Sequence, residues 1–155
     1  MNRRLHRWET ERGLESLYRE PTFMIRRAHQ IASATFARSC VKLDLTPSQY
    51  SVLFALRHVG PIGQNHLGRL VALDRCTTSL VVRLLVERAL IDRVNDPVDG
   101  RKKKLSLNDS GRVLLNRAER LATRASRKLL SVLDDSQTRA FMSILDKFTR
   151  AHQSG

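Results

Sequence analysis

The stretch LIDRVNDPVDGRKKKLSL, residues 90–107, breaks the helical periodicity that governs the rest of the chain. LIDRVN reads as a short strand, DPVDG as a turn, and RKKKLSL as a second strand with Leu105 and Leu107 on one face. The segment is therefore a β-hairpin, covering about Ile91 to Leu107. Its turn runs into four consecutive cations, Arg101, Lys102, Lys103 and Lys104. A basic hairpin suits the strong negative potential of a narrow minor groove, but a charge run behind a turn is also what an ordinary solvated surface looks like.

Outward from the hairpin the pattern is helical. Asp74 is a good N-cap for a helix of about Arg75 to Ala89, in which Thr78, Val81, Val82 and Leu85 recur as a buried row. Before it, Asn65 can cap a short helix carrying Leu67, Leu70 and Val71, and the LDR segment turns the chain between the two. Thr46 at an N-cap, Pro47 and Gln49 in the first turn and Gly60 past the end delimit a helix of Pro47 to Val59. Pro21 opens another, to about Lys42, with Phe23, Met24, Ile25, Ala28, Ile31, Ala32 and Phe36 at helical spacing. After the hairpin, Asn108 or Asp109 starts a long helix to Leu133, and Asp134 or Asp135 starts a last one whose apolar face is Phe141, Ile144, Leu145 and Phe148. Residues 1–19 are polar and read as an arm ending in a short helix.

Short helix, tight turn, second helix and two-stranded hairpin, in that order, are the plan of a winged helix-turn-helix placed between long helices. The fold expected is mostly α with a small β-hairpin wing. The second helix of the pair can enter a major groove about 12 Å wide, offering Arg75, Thr77 and Ser79 and later Arg83 to base edges or phosphates. Hydroxyls at a helix start also serve simply as caps.

Composition agrees with this reading. Among 155 residues, 28 Lys and Arg face 15 Asp and Glu, a formal charge of +13, so a polyanionic partner is implied, either nucleic acid or an acidic membrane surface. No stretch approaches the ~18 apolar residues of a spanning helix, and the start MNRRLHRWETERG lacks the apolar core of a signal peptide. A cytoplasmic protein without a membrane partner is expected. Cys40 and Cys76 have no C-x-x-C spacing and the five histidines no ligand spacing, so neither metal nor cofactor is expected. No phosphate-binding glycine loop, nucleophile elbow or paired metal motif points to an enzyme.

The segment LIDRVNDPVDGRKKKLSLNDSGR resembles the wing signature of the MarR family of bacterial regulators, with Arg93, Asp96, Asp99, Arg101, Leu105, Leu107 and Gly111 at the matching positions. The resemblance covers roughly Pro21 to His152. It implies an obligate homodimer held by the first and last helices, double-stranded DNA with an inverted-repeat operator as partner, and repression relieved by a small ligand. Residues 47–107 would then be the DNA-binding lobe, residues 21–46 and 108–155 the dimerisation region, and residues 1–20 an arm. Carried over residue by residue, Arg101 would be the minor-groove arginine, and Asp99 would orient it or a neighbouring arginine through a charge-assisted hydrogen bond. DNA contacts are thus expected at Arg75, Thr77, Ser79, Arg83, Arg93, Asp99, Arg101, Lys102 and Lys103. Two positions depart from the family pattern: Leu80 stands where a charged residue is frequent, and Asn108 replaces the usual Thr at the start of the next helix.

In MIRRAHQIA, His29 shares a row with Ile25, Ala32 and Phe36 and so points inward, with Arg26 one turn before it. A guanidinium fork at a cleft can hold a carboxylate in bidentate fashion while an imidazole takes a ring hydroxyl, which suits a small aromatic acid. PTFMIRRAHQIA together with LTPSQY is similar to the subgroup of the family that senses aromatic catabolites such as protocatechuate or hydroxynicotinate. The pocket expected comprises Arg26, Arg27, His29 and Tyr50. A urate-sensing subgroup uses an arm Trp and an Asp in the second helix; Trp8 is present, but Ser51 stands where that Asp belongs. Three rivals stay open: a redox-responsive regulator acting through Cys76 or Cys40, a non-specific chromosome-associated protein, and a small enzyme with its pocket at Arg26 and His29.

Overall fold

A computed structural model describes residues 14–96 and 98–152; most of the expected arm, Trp8 included, and Pro97 of the hairpin turn lie outside the described residues. The elements are α1 (Glu15–Arg19), α2 (Pro21–Ser39), a 3-10 turn (Val41–Leu43), α3 (Pro47–Val59), α4 (Gln64–Leu70), α5 (Arg75–Glu87), β1 (Ile91–Asn95), β2 (Lys103–Leu107), α6 (Asp109–Leu130) and α7 (Asp135–Ala151). The expected winged helix-turn-helix, mostly helical with one small antiparallel sheet, is the fold observed.

Side-chain caps set most of the boundaries. Thr46 and Gln49 form a reciprocal capping box on α3, as do Asp134 and Gln137 on α7. Asp74 accepts from the Thr77 N–H at 2.9 Å and Asn108 from the Gly111 N–H at 3.0 Å, so the N-cap of α6 is Asn108 and that of α7 is Asp134. At α4 the expectation fails: the helix begins at Gln64 behind Gly63, and Asn65 is inside it, capping nothing. The first long helix also stops earlier than its apolar spacing suggests. Cys40 turns fully into the core, and the chain continues as a 3-10 turn to Asp44, whose φ of 47° bends it toward α3. The hairpin's second strand starts at Lys103, leaving Arg101 and Lys102 in the turn.

The core lies in the lobe built from α3, α4, α5, the wing base and the first half of α6. Leu53, Leu56, Leu67, Leu85, Ile91, Leu105 and Leu115 are its largest fully buried side chains. The predicted row Thr78, Val81, Val82 and Leu85 is the buried face of α5. Beyond the lobe, α6 runs on along α2. There the packing thins out: α2 buries only Thr35, and Met24, Ile25 and Ile31 are exposed. α7 buries nothing, leaving Phe141, Ile144, Leu145 and Phe148 as a bare apolar face.

Candidate nucleic-acid interface and ligand cleft

The solvent face of α5 follows directly from its buried one. With Thr78, Val81, Val82 and Leu85 inward, Arg75, Cys76, Ser79, Leu80, Arg83 and Glu87 stand on the opposite side, all exposed. Arg83 lies 3.8 Å from Glu87 one turn on. Thr77 is only half-exposed, and its hydroxyl donates to Asp74 at 2.6 Å, so it belongs to the cap. The bond from the Thr77 hydroxyl, followed by that from its N–H, holds the Asp74 carboxyl below the usual carboxylate range.

Two features that sequence reasoning missed fix α5 in the lobe. Gly68 of α4 passes so close to Thr78 that an added β-carbon would stand 2.6 Å from its hydroxyl oxygen. Arg88, just past α5, donates to the backbone carbonyls of Leu43 at 3.1 Å and Asp44 at 2.5 Å. No local pattern signals either, because both depend on segments brought together by the fold.

The wing pairs Ile91 with Leu107, Arg93 with Leu105 and Asn95 with Lys103. Its base is held from three sides. Leu105 exchanges backbone hydrogen bonds with Ile62 in the loop after α3, at 2.8 and 3.1 Å. Asn108 donates its amide to the Ala89 carbonyl at 3.0 Å and to Asp92 at 3.2 Å while capping α6, three bonds that a hydroxyl could not make at once. Gly111 leaves no room for a side chain, since a β-carbon there would overlap the Leu90 carbonyl and stand 2.5 Å from Leu107 Cδ1.

At the tip, Asp96 accepts from the Val98 N–H at 2.9 Å and pairs with Lys104 at 3.2 Å. These contacts, the Val98 bond first, hold its carboxyl below the usual range. Asp99 accepts from the Arg101 backbone N–H at 3.2 Å and pairs with Lys102 at 3.3 Å. The Arg101 guanidinium is 4.0 Å away, too far for the expected side-chain hydrogen bond. Asp99 therefore shapes the turn and pairs more closely with Lys102, while the Arg101 side chain, 99% exposed, approaches it only at the outer limit of an ion pair. Arg93 and Lys103 are also exposed, Lys103 bonded to Asn95 across the strands.

On the other side of α3 a cleft of about 440 Å³ opens between α2, α3 and α6. His29, Phe36, Tyr50 and Leu129 line it together with the hydroxyl side chains of Ser33, Ser51, Thr123 and Ser126. Of the four expected pocket residues, His29 and Tyr50 meet here. His29 lines the cleft on the row of Ala32 and Phe36 as expected but is exposed, a correction to its expected burial that follows from the thin packing on α2. Arg26 and Arg27 do not line the cleft of a single chain: Arg26 stacks on Phe23 at 4.9 Å and Arg27 on Tyr18 at 5.8 Å. At about 100° per residue, Arg27 is turned about 160° from His29 and Arg26 only about 60°.

Tyr50 stands between Phe36 and Phe54, ring centroids 5.3 and 5.9 Å away. Burial, with Glu119 nearby, pushes its phenol above its ordinary pKa. Behind it Arg57 spans from α3 to α6, donating to Asn116 at 3.0 Å and pairing with Glu119. This bridge was not expected from sequence. Of the two cysteines, Cys40 is fully buried and burial raises its thiol pKa, which disfavours the reactive thiolate; Cys76 is exposed.

Among the described residues, no three His, Cys, Asp or Glu side chains gather to hold a metal ion, and no helix is long and apolar enough to cross a membrane. A paired α4–α5 unit with a basic hairpin beside it defines the winged helix-turn-helix class. The sequence pattern of the MarR family matches residues 43–102. The HTH-type transcriptional repressor NicR of Pseudomonas putida is 32% identical over 124 residues, 80% of this chain and 78% of NicR. A crystal structure of a probable transcriptional regulator from Pseudomonas aeruginosa superposes with a TM-score of 0.81 at 36% identity, covering 85% of this chain and 98% of that one. Bordetella bronchiseptica BpsR, whose DNA binding is regulated by 6-hydroxynicotinic acid, gives a TM-score of 0.79 at 27% identity, covering 84% and 94%. The chain belongs to the MarR family of transcriptional regulators.

Proposed function

We propose that two copies of this chain form a repressor that binds an inverted-repeat operator in double-stranded DNA and releases it when a small aromatic acid binds. The observation that carries the DNA reading is the almost fully exposed Arg101 side chain at the tip of a wing whose base is packed into the same lobe as α5. In a dimer the two α5 helices enter successive major grooves about 34 Å apart, through Arg75, Ser79 and Arg83, with Thr77 behind them in the cap. The wings then take the flanking minor grooves, Arg101 inserted and Arg93, Lys102 and Lys103 on phosphates, with Asp99 shaping the turn.

The bare apolar faces of α7 and of α2 support self-association, because exposed apolar surface of this extent needs a partner. A second copy presents the same faces, which is the complementarity a two-fold dimer requires. Residues 21–46 and 108–155 serve this purpose, and 47–107 the DNA. The likeness to NicR, a repressor, favours repression.

The effector reading rests on the cleft at His29 and Tyr50 and on the likeness to BpsR, which responds to a hydroxylated pyridine acid. Tyr50 and Phe36 offer faces to a ring, His29 a hydrogen bond to a ring hydroxyl. Arg26, one turn before His29, turns from Phe23 to clamp the carboxylate, and Arg27 supports it from outside. Ligand acts by binding the DNA-released lobe spacing more tightly, with a coupling of about 1–3 kcal/mol.

Footprinting on the DNA upstream of the protein's own coding sequence, with and without a panel of monocyclic aromatic acids, tests the reading. A bounded inverted repeat that opens on adding one acid is the expected result; uniform protection would mean non-specific coating, and consumption of the acid would mean an enzyme.

A further inference from the structure

Leu80 is 46% exposed on the same face of α5 as Arg75, Ser79 and Arg83, and Cys76 lies one turn before it, also exposed. Cys76 and Leu80, at i and i+4, form a small apolar strip between the polar and cationic side chains of the reading helix. Nothing in the lobe uses it: the buried face of α5 is made by Thr78, Val81, Val82 and Leu85. The floor of the major groove offers one apolar group, the C5 methyl of thymine.

We propose that Leu80, with Cys76 beside it, is a specificity determinant that reads thymine methyl groups in the operator half-site. The proposal rests on the DNA reading given above. Arg75 and Arg83 flank the strip along the helix, so phosphate or guanine contacts on either side would seat Leu80 against the base edges. A leucine cannot pay a hydrogen bond to any base; its only favourable match is a methyl. It therefore selects T over C on the strand it faces, where cytosine presents an amino group that the leucine would desolvate.

The test uses a duplex carrying the footprinted inverted repeat, with each thymine replaced in turn by deoxyuridine, which lacks only the methyl. One or two positions per half-site should cost the parent protein about fourfold in affinity each, the worth of one buried carbon. The same replacements should cost Leu80→Ala nothing, since the two changes remove the same contact. Leu80→Ala keeps the fold because the side chain is on the solvent face and Ala favours helix, which its circular dichroism and melting temperature check. A flat deoxyuridine scan on a duplex that still binds overturns the proposal and leaves the regulator reading standing. Sensitivity that persists in Leu80→Ala also overturns it, assigning the methyl to another side chain. Absence of any bounded footprint removes both readings together.

Discussion

Gly68 of α4 lies directly under Thr78 of α5: a β-carbon on Gly68 would stand 2.6 Å from the Thr78 Oγ1 and 3.3 Å from the Leu73 carbonyl oxygen. The two helices that define the reading head are thus held at a separation only glycine allows. Thr78 cannot swing aside freely, since its hydroxyl donates to the Asp74 carbonyl at 2.7 Å and the residue is buried. In an open helix interior Gly→Ala stabilises by about 1 kcal/mol, but overpacking here costs about 1–3 kcal/mol. Gly68→Ala should therefore lower the melting temperature and weaken DNA binding. Adding Thr78→Ala should recover part of the stability. A Gly68→Ala protein as stable as the parent would show that the helices part without cost.

That contact marks the boundary of what the sequence makes legible. The buried row of α5 follows from the 3.6-residue period, because each of its members faces the same core. The caps at Thr46, Asp74 and Asp134 are local chemistry within four residues. Gly68 against Thr78, Arg57 against Glu119 and Ile62 against Leu105 depend on where distant segments meet. The cleft is obscure for another reason. Its hydroxyl residues Ser33, Ser51, Thr123 and Ser126 are ordinary helix-surface residues until three helices enclose them. Arg26 shows the opposite failure: its spacing from His29 is legible, yet its side chain settles on Phe23.

The wing gives a second prediction. Arg101→Ala removes a side chain that bonds to nothing in its own chain beyond a 4.0 Å approach to Asp99, so melting temperature and dimer mass should not change. Operator affinity should fall at least about tenfold at matched salt, as two charge-assisted contacts are lost per dimer. The slope of log affinity against log salt should fall by about 2, one phosphate equivalent per wing. Unchanged affinity and slope would remove Arg101 from the interface.

Acid should loosen the same hairpin in a defined order. Asp96 is more acidic in the fold than an ordinary carboxyl, because the Val98 N–H and then Lys104 favour its ionised form. Its stabilisation is thus fully present above the ordinary carboxylate range and is lost as pH falls through the lower folded value. Between pH 7 and about 5 the Val98 amide should exchange with solvent at a constant protection factor, then lose protection below the usual carboxylate range near 4. Asp96→Asn keeps an acceptor for Val98 but has no charge to lose, so that step should vanish while the one at the Thr77 amide, set by Asp74, persists. Equal steps at Val98 in both proteins would place the titrating group elsewhere.

Self-association through α7 can be tested without disturbing the lobe, since α7 contributes no buried residue to its own chain. Ile144→Asp with Phe148→Asp should leave the helical content intact. Each apolar side chain buried in an interface is worth about 1.5–3 kcal/mol, so the dimer dissociation constant should rise at least about a hundredfold. Sedimentation equilibrium would then find monomer, and operator binding should fall with it. A double variant that remains dimeric at micromolar concentration would place the interface on α2 or elsewhere.

The effector site separates by residue. If Arg26 clamps the carboxylate, Arg26→Ala should bind operator like the parent but need at least tenfold more aromatic acid for release, matching the loss of a charge-assisted hydrogen bond of about 1.5–3 kcal/mol. His29→Ala should instead discriminate less between hydroxylated and unhydroxylated ring acids, because the imidazole addresses the hydroxyl. Arg27 lies about 160° around α2 from His29, so Arg27→Ala should shift release much less than Arg26→Ala. Titrating each variant with the acid in a mobility-shift assay gives all three numbers. An equal response from Arg26→Ala and parent would leave the cleft at His29 and Tyr50 without its carboxylate clamp, and the carboxylate would then have to be held by the hydroxyl side chains of Ser33, Ser51, Thr123 and Ser126.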